Sequence, residues 1–114
     1  MLDQMKDVSM LVQKILFCVR QTNEVFNKEV INDTLRGVKD KTLVRLDLHR
    51  LSSYGALSRY GKNQIEHLIQ LLFDNGALRE GTGRYKAIKL TPSAEGLLQQ
   101  TEPIYTHLPR KNKK

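Results

Sequence analysis

Residues 61–90 read GKNQIEHLIQLLFDNGALREGTGRYKAIKL, and this stretch holds the two elements that decide the fold. Ile65, Leu68, Ile69 and Leu72 recur at the three- and four-residue spacing that lines one face of an α-helix. The spacing predicts a helix over 61–75, ended at Gly76. Ala77-Leu78-Arg79 and Arg84-Tyr85-Lys86-Ala87-Ile88-Lys89-Leu90 then flank a four-residue turn, Glu80-Gly81-Thr82-Gly83, and read as a β-hairpin. A period of two puts Ile88 and Leu90 on one face of the second strand, with Tyr85, Ala87 and Lys89 on the other.

Upstream, residues 1–6 read as a leader that frays. Over 7–22, Val8, Leu11, Val12, Ile15, Leu16 and Val19 form an amphipathic stripe with Cys18 beside it, read as a small hydrophobe at a packed surface. Asn27 is a suitable N-cap for a second helix through Arg36, and Phe26 and Ile31 have the spacing of a hydrophobic staple across it. Val30, Ile31 and Leu35 face inward, and Gly37 supplies the left-handed residue that ends the helix. Residues 41–45 form a short turn of helix, and Leu46, Leu48 and Leu51 make 38–51 a partly buried connector. Downstream, Thr91 caps a last helix with Pro92 at its first position, and Leu97 and Leu98 pack it down. The organisation expected is therefore a leader at 1–6, one domain at 7–100 and a basic linker or tail at 101–114. Three helices followed by a two-stranded wing give a mainly α fold with a small β-hairpin, the winged-helix variant of helix-turn-helix.

A chain of 114 residues that is 39% hydrophobic suffices for one domain with a real core. It has no uninterrupted apolar run of about 18 residues, so no membrane span is expected. The opening Met1-Leu2-Asp3-Gln4-Met5-Lys6-Asp7 lacks the basic-then-apolar order of a secretion signal. One cysteine excludes an internal disulfide and a cysteine-based zinc site. There is no Gly-x-x-x-x-Gly-Lys-Ser/Thr phosphate loop and no nucleophile elbow, and His49, His67 and His107 lie too far apart for a His-x-x-x-His metal pair. Independent catalysis is not expected of this chain.

The charge is segregated. The net is +7, yet residues 1–40 carry six bases and six acids, while 41–90 carry nine bases and four acids. The excess points to a polyanionic partner. Arg79, Arg84, Lys86 and Lys89 surround the hairpin tip, with Tyr85 among them. Stacking a base on one aromatic ring is worth about 1–3 kcal/mol. Opening one base-pair step costs about 1.4 kcal/mol on average. Tyr85 at a duplex end could thus hold open about one pair, assisting a motor rather than unwinding DNA alone. The alternative is that Tyr85 covers the outer strand face and the bases are solvated edge-strand residues that discourage aggregation.

Along 61–75 the outward residues are Asn63, Glu66, His67, Gln70 and Asp74, with Lys62 the clear base. Glu66 and Asp74 would meet phosphates unfavourably, although Asn63 or Gln70 could read adenine. Arg50 and Ser52, two apart in Arg50-Leu51-Ser52-Ser53-Tyr54-Gly55, could reach one phosphate, with N–H groups at the start of the following helix adding donors. The alternative there is a loop that caps the helix and carries an incidental arginine.

These pieces, in this order, resemble the RQC domain of RecQ-family DNA helicases over roughly residues 8–98. They stand here as Gln13-Lys14-Ile15-Leu16, Phe26 with Val30-Ile31, and Leu35-Arg36-Gly37, followed eighteen residues later by Tyr54-Gly55 in His49-Arg50-Leu51-Ser52-Ser53-Tyr54-Gly55. Leu68-Ile69-Gln70-Leu71-Leu72 with Gly76, then Tyr85-Lys86-Ala87-Ile88-Lys89-Leu90-Thr91 and Leu97-Leu98, complete the match. The resemblance implies a winged helix on the duplex ahead of an ATP-driven core. Arg50 and Ser52 would grip backbone phosphates, and Tyr85 would stack on the terminal base pair where the strands separate. Where the family usually carries Gly-Lys/Arg-Asp after Tyr-Gly-x, this chain has Leu57-Ser58-Arg59, which leaves Arg59 to take over that phosphate contact. Its common tryptophan early in the third helix is Ile65 here.

The expected phosphate contacts are thus Arg50, Ser52, Arg59 and Lys62, and the expected wing contacts Arg79, Arg84, Tyr85, Lys86 and Lys89. The expected partners are double-stranded or forked DNA, and in cis a 3′–5′ helicase core and a zinc module. No cofactor is expected in this chain, ATP and Mg²⁺ belonging to that core. A monomer is expected, inside the cell: cytoplasm or nucleoid in a bacterium, nucleus in a eukaryote. Two other readings stay open, a freestanding regulator reading duplex DNA with the third helix and a winged helix that binds protein.

Overall fold

Among residues 5–84, 86–99 and 103–111, which the computed structural model describes, the chain runs β1 (Lys6–Asp7), α1 (Ser9–Gln21), α2 (Lys28–Arg36), α3 (Lys41–Arg45), a 3₁₀ turn (Leu48–Arg50), α4 (Lys62–Asp74), β2 (Leu78–Glu80), β3 (Ile88–Leu90), α5 (Pro92–Gln99) and β4 (Tyr105–Thr106). The expected stripes are the ones buried. Val12, Ile15, Leu16 and Val19 of α1 meet Ile31 and Leu35 of α2, Ile65, Leu68, Ile69 and Leu72 of α4, and Leu78 and Ile88 of the hairpin in one core. Three packed helices followed by an antiparallel ribbon make this a mainly α winged-helix fold, as expected. No helix is long and apolar enough to cross a membrane among these residues.

Local chemistry sets the ends of α2. The Asn27 side chain accepts from the Val30 N–H at 3.0 Å, and Gly37 closes the helix at φ 73°. The segment that follows the 3₁₀ turn docks on this helix end. Gly55 and Leu57 donate their N–H groups to the carbonyls of Thr34 and Leu35 at 2.8 and 2.9 Å. The Tyr54 hydroxyl lies 2.8 Å from the carbonyl oxygen of Val38 and 3.1 Å from that of Gly37. In the connector Leu48 is buried and Leu51 half-buried as expected, but Leu46, the residue that ends α3, is exposed.

The wing departs from expectation. Leu78 pairs with Leu90, Arg79 with Lys89 and Glu80 with Ile88, so the strands are three residues each and the connection is 81–87, not four residues. Gly81 still donates to the Ala87 carbonyl at 2.8 Å, but Lys86 adopts φ 50° and turns back to Gly83. That left-handed residue breaks the strand alternation expected over 84–87. The other edge of β3 is occupied by the α1–α2 loop: Ile88 donates to the Phe26 carbonyl at 2.8 Å and Leu90 to the Glu24 carboxylate at 2.9 Å. Asn23 and Glu24 hold φ near 60° to make that approach, a strained pair that the bonds to β3 offset.

The two ends of the described chain are tied together. β1 and β4 pair antiparallel, Lys6 with Thr106 and Asp7 with Tyr105. Val8 donates to the Ile104 carbonyl at 2.7 Å, and Ile104 donates to the Ser9 hydroxyl at 2.8 Å. The loose tail expected from residue 101 is therefore packed structure over 103–111, and Lys6 belongs to a strand rather than to a fraying leader. Composition gave no hint because the ribbon is held by backbone groups, which any residue supplies.

Candidate nucleic-acid interface

Three exposed or half-exposed groups of residues carry the expected contacts. The first is the end of the 3₁₀ turn and the segment after it. Arg50 is exposed and only loosely paired, with Asp47 at 3.9 Å. The exposed Ser52 hydroxyl accepts from the Gln21 amide at 3.1 Å, while the same side chain's oxygen accepts from the hydroxyl of Ser53 at 2.8 Å. Gln21, at the end of α1, thus fixes both serines, and its role had no sequence signature. Behind Ser53, burial pushes the Cys18 thiol up to about 12, against the opposing pull of a hydrogen bond with Ser53. Cys18 is the inert packed residue expected. Arg59 is exposed, and its carbonyl accepts from the Lys111 ammonium at 3.3 Å.

The second group surrounds the start of α4. Lys62 is exposed, and its carbonyl accepts from the amide of Asn32, which is buried. The Asn32 oxygen in turn accepts from Arg36 at 2.7 Å. A buried amide is costly unless both ends are bonded, and here they tie α2 to the first turn of α4. The outward face of α4 is largely engaged by the chain itself. The Asn63 amide donates to the Arg110 carbonyl, the Gln64 amide to the Pro109 carbonyl, and His67 lies 3.0 Å from the Thr106 hydroxyl. Gln70 donates to Asp74 at 2.9 Å.

The third group is the wing. Arg79, Arg84 and Lys86 are exposed. Lys89 is not turned outward as expected: it is half-buried and its ammonium donates to the Glu24 carbonyl at 2.9 Å. Its direct cross-strand partner is Arg79, a like charge, so the Glu24 carbonyl gives the ammonium a favourable contact that its neighbour across the ribbon does not. Tyr85, expected to supply the stacking ring, lies outside the described residues.

Sequence reasoning passed over Lys28, since it sits in the charge-balanced first third of the chain. It is exposed at the first position of α2, and of the three grooves it lines, one holds Lys62 and Asn32 and another Arg84 and Lys86. Lys28 therefore joins the base at the start of α4 to the two bases of the wing loop. Glu29 lies in both of these grooves, Glu66 in the first and Glu80 in the second, so the surface is mixed in sign, four bases against three acids. Ser52 lies in a different groove, with Lys14 and Phe17 of α1.

The chain matches the RQC domain family over residues 3–114. It is 25% identical over 93 residues to the ATP-dependent DNA helicase RecQ of Bacillus subtilis (strain 168), a match covering 82% of this chain and 16% of that protein. It is 26% identical over 99 residues to the ATP-dependent DNA helicase RecQ of Haemophilus influenzae (strain ATCC 51907 / DSM 11121 / KW20 / Rd), covering 86% of this chain and 16% of that protein. The chain thus spans about one-sixth of the length of these curated relatives.

Proposed function

The chain belongs to the RQC domain family, and from that membership we propose that it is the DNA-binding accessory module of a RecQ-type ATP-dependent DNA helicase. In this reading Arg50, Ser52, Arg59 and Lys62 hold duplex phosphates, and the wing, through Arg79, Arg84, Lys86 and Tyr85, meets the end of the duplex where its strands part. Lys28 is added to the phosphate contacts and Lys89 becomes a support of the wing. ATP and Mg²⁺ act in the helicase core, in cis, and this module contributes grip and orientation. The setting is inside the cell, where such DNA is found.

One observation carries the reading: Arg84 and Lys86 stand exposed on the 81–87 loop and share a groove with Lys28, which also neighbours Lys62. Bases that neighbour one another from wing loop to helix start, with Glu29, Glu66 and Glu80 among them, suit a duplex backbone better than four scattered solubilising charges would. The regulator reading needed Asn63 and Gln70 free to read bases, and both amides already donate within the chain.

The test compares binding to blunt or forked DNA with binding to a duplex closed at both ends by hairpins. Stacking worth about 1–3 kcal/mol gives a preference of about 5- to 150-fold for the open end, lost in Tyr85→Ala. Equal affinity for open and closed duplexes overturns the end-binding role.

A further inference from the structure

A second basic surface lies apart from the bases of the proposed duplex contacts. Lys39, Lys41, Val44, Arg45, His49 and Tyr54 line one groove of about 670 Å³ between α3 and the segment that follows the 3₁₀ turn. Asp40 also borders it, but its carboxylate is committed to capping α3, accepting the Thr42 N–H at 2.7 Å. Among the described residues no carboxylate pairs with Lys39, Lys41 or Arg45. Three cations thus face solvent without an ion-pair partner, beside the one carboxylate of Asp40, a net basic lining. The groove is apolar as well as basic: Val44 is 51% exposed, and the Tyr54 ring is anchored by its hydroxyl on the Gly37 and Val38 carbonyls. His49 adds a separate observation, since its buried Nδ1 has no hydrogen-bond partner.

We infer that this groove binds a short run of single-stranded nucleic acid, with phosphates on Lys39, Lys41 and Arg45 and bases against Val44 and the edge of Tyr54. A duplex offers phosphates but stacks its bases inward, and would leave the apolar floor unused. Single strands bring both chemistries together, and a cationic rim with an apolar or aromatic floor is the arrangement that holds them without regard to sequence. The inference rests on the function proposed above, because a module at the point of strand separation has a released strand close by. His49 is the residue before Arg50, so the single-strand groove adjoins the proposed duplex grip along the chain.

The test uses the full 114-residue chain and, in separate titrations, a fluorescent hairpin-closed duplex and a fluorescent oligo-dT of about twenty nucleotides, each read by anisotropy across salt concentrations. Lys41→Glu/Arg45→Glu is expected to weaken oligo-dT binding at least about tenfold and to flatten its salt slope by about 1.4, at about 0.7 per phosphate. Duplex affinity should change less than about threefold. Val44→Asp, at an exposed position, should weaken oligo-dT in the same sense while keeping the melting temperature. Unchanged oligo-dT binding in both variants overturns the inference, as does an equal loss for duplex and single strand, which would make the groove a general phosphate site. A poly-glutamate peptide that binds wild type, fails on the double variant and does not compete with oligo-dT would assign the groove to an acidic protein segment and overturn it too. Wild type that binds neither DNA form removes the proposed function itself, whereas normal duplex binding with an indifferent groove removes only this inference.

Discussion

Gly37 and Gly55 meet backbone to backbone: a Cβ built on Gly37 would stand 3.0 Å from the Cα of Gly55, and both residues hold positive φ, 73° and 76°. The contact gives the eighteen-residue separation of Gly37 and Gly55 its structural meaning: the chain leaves α2 and returns to its end. The end of α2 and the segment carrying Ser52 are one packed unit, and the Tyr54 hydroxyl closes it.

The two glycines should not be equally sensitive. A Cβ on Gly55 meets nothing nearer than Gly37 Cα at 3.9 Å, an ordinary contact, so Gly55→Ala bears only the cost of a left-handed alanine, about 1–2 kcal/mol. Gly37→Ala adds a backbone clash, and overpacking of that kind brings the total to about 2–4 kcal/mol. Thermal melts should place Gly37→Ala below Gly55→Ala, with each kcal/mol worth about 4–8 °C. The reverse order would show that the two backbones are not in contact.

The winged-helix plan was legible because its decisive features are periodic. The stripe Ile65, Leu68, Ile69, Leu72, the cap Asn27 and the stop Gly37 each act through the chain's own local geometry, and each stands where the pattern put it. What escaped were contacts between distant backbone groups. Nothing in Tyr105-Thr106 says that it pairs with Lys6-Asp7, and nothing in Glu24 says that its carboxylate will accept the Leu90 N–H. The longer wing connection escaped for a related reason, since a non-glycine residue such as Lys86 with φ 50° has no residue-type signal. Among the site residues, exposure followed charge at Arg50, Arg59, Lys62, Arg79, Arg84 and Lys86. Lys89 failed the rule because a carbonyl on another segment was within its reach.

The difference between Lys89 and its neighbours can be read in salt. If Arg84 and Lys86 each neutralise a phosphate, Arg84→Ala and Lys86→Ala each reduce the log–log salt slope for duplex binding by about 0.9, and so does Lys28→Ala. Lys89→Ala should leave the slope unchanged and instead lower stability by about 1 kcal/mol, the usual net worth of a hydrogen bond. Titrations between about 50 and 200 mM salt resolve these slopes. A slope change in Lys89→Ala matching that of Arg84→Ala would mean that its ammonium leaves Glu24 for DNA.

Acid should loosen the β1–β4 ribbon first. The Ser9 hydroxyl, and then its N–H, donate to the Asp7 carboxylate and hold that carboxyl below the usual aspartate range. A carboxyl whose folded value is depressed stabilises the fold above its unfolded value, near about 3.9, and that contribution is lost as pH falls through the folded value. Because the same Ser9 hydroxyl accepts from Ile104, the effect reaches the other end of the chain. Hydrogen exchange should show protection of the Ile104 amide falling below about pH 4 while that of Ile65 in α4 persists. Asp7→Asn should flatten the pH dependence at Ile104, and an unaltered profile in that variant would exclude Asp7 as its source.

Cys18 offers a probe of the whole fold. It is fully buried, and with its thiol pushed up to about 12 only about one molecule in ten thousand carries a native thiolate at pH 8. An aromatic disulfide reagent should therefore modify the folded protein only through opening, at a rate set by the open population when reclosing is fast. Gly37→Ala, less stable by about 2–4 kcal/mol, should react about 30- to 1,000-fold faster. The shift also has a sign in stability: the unfolded thiol ionises above about pH 8.5 and the folded one does not, so stability falls with rising pH, by about 1–2 kcal/mol at pH 10. Cys18→Ala should lack that component when its melting profile is compared with wild type across the same range. Modification of folded wild type at the rate of a free thiol would show that α1 does not pack as described, and the fit of Ser52 and Ser53 against Gln21 would fall with it.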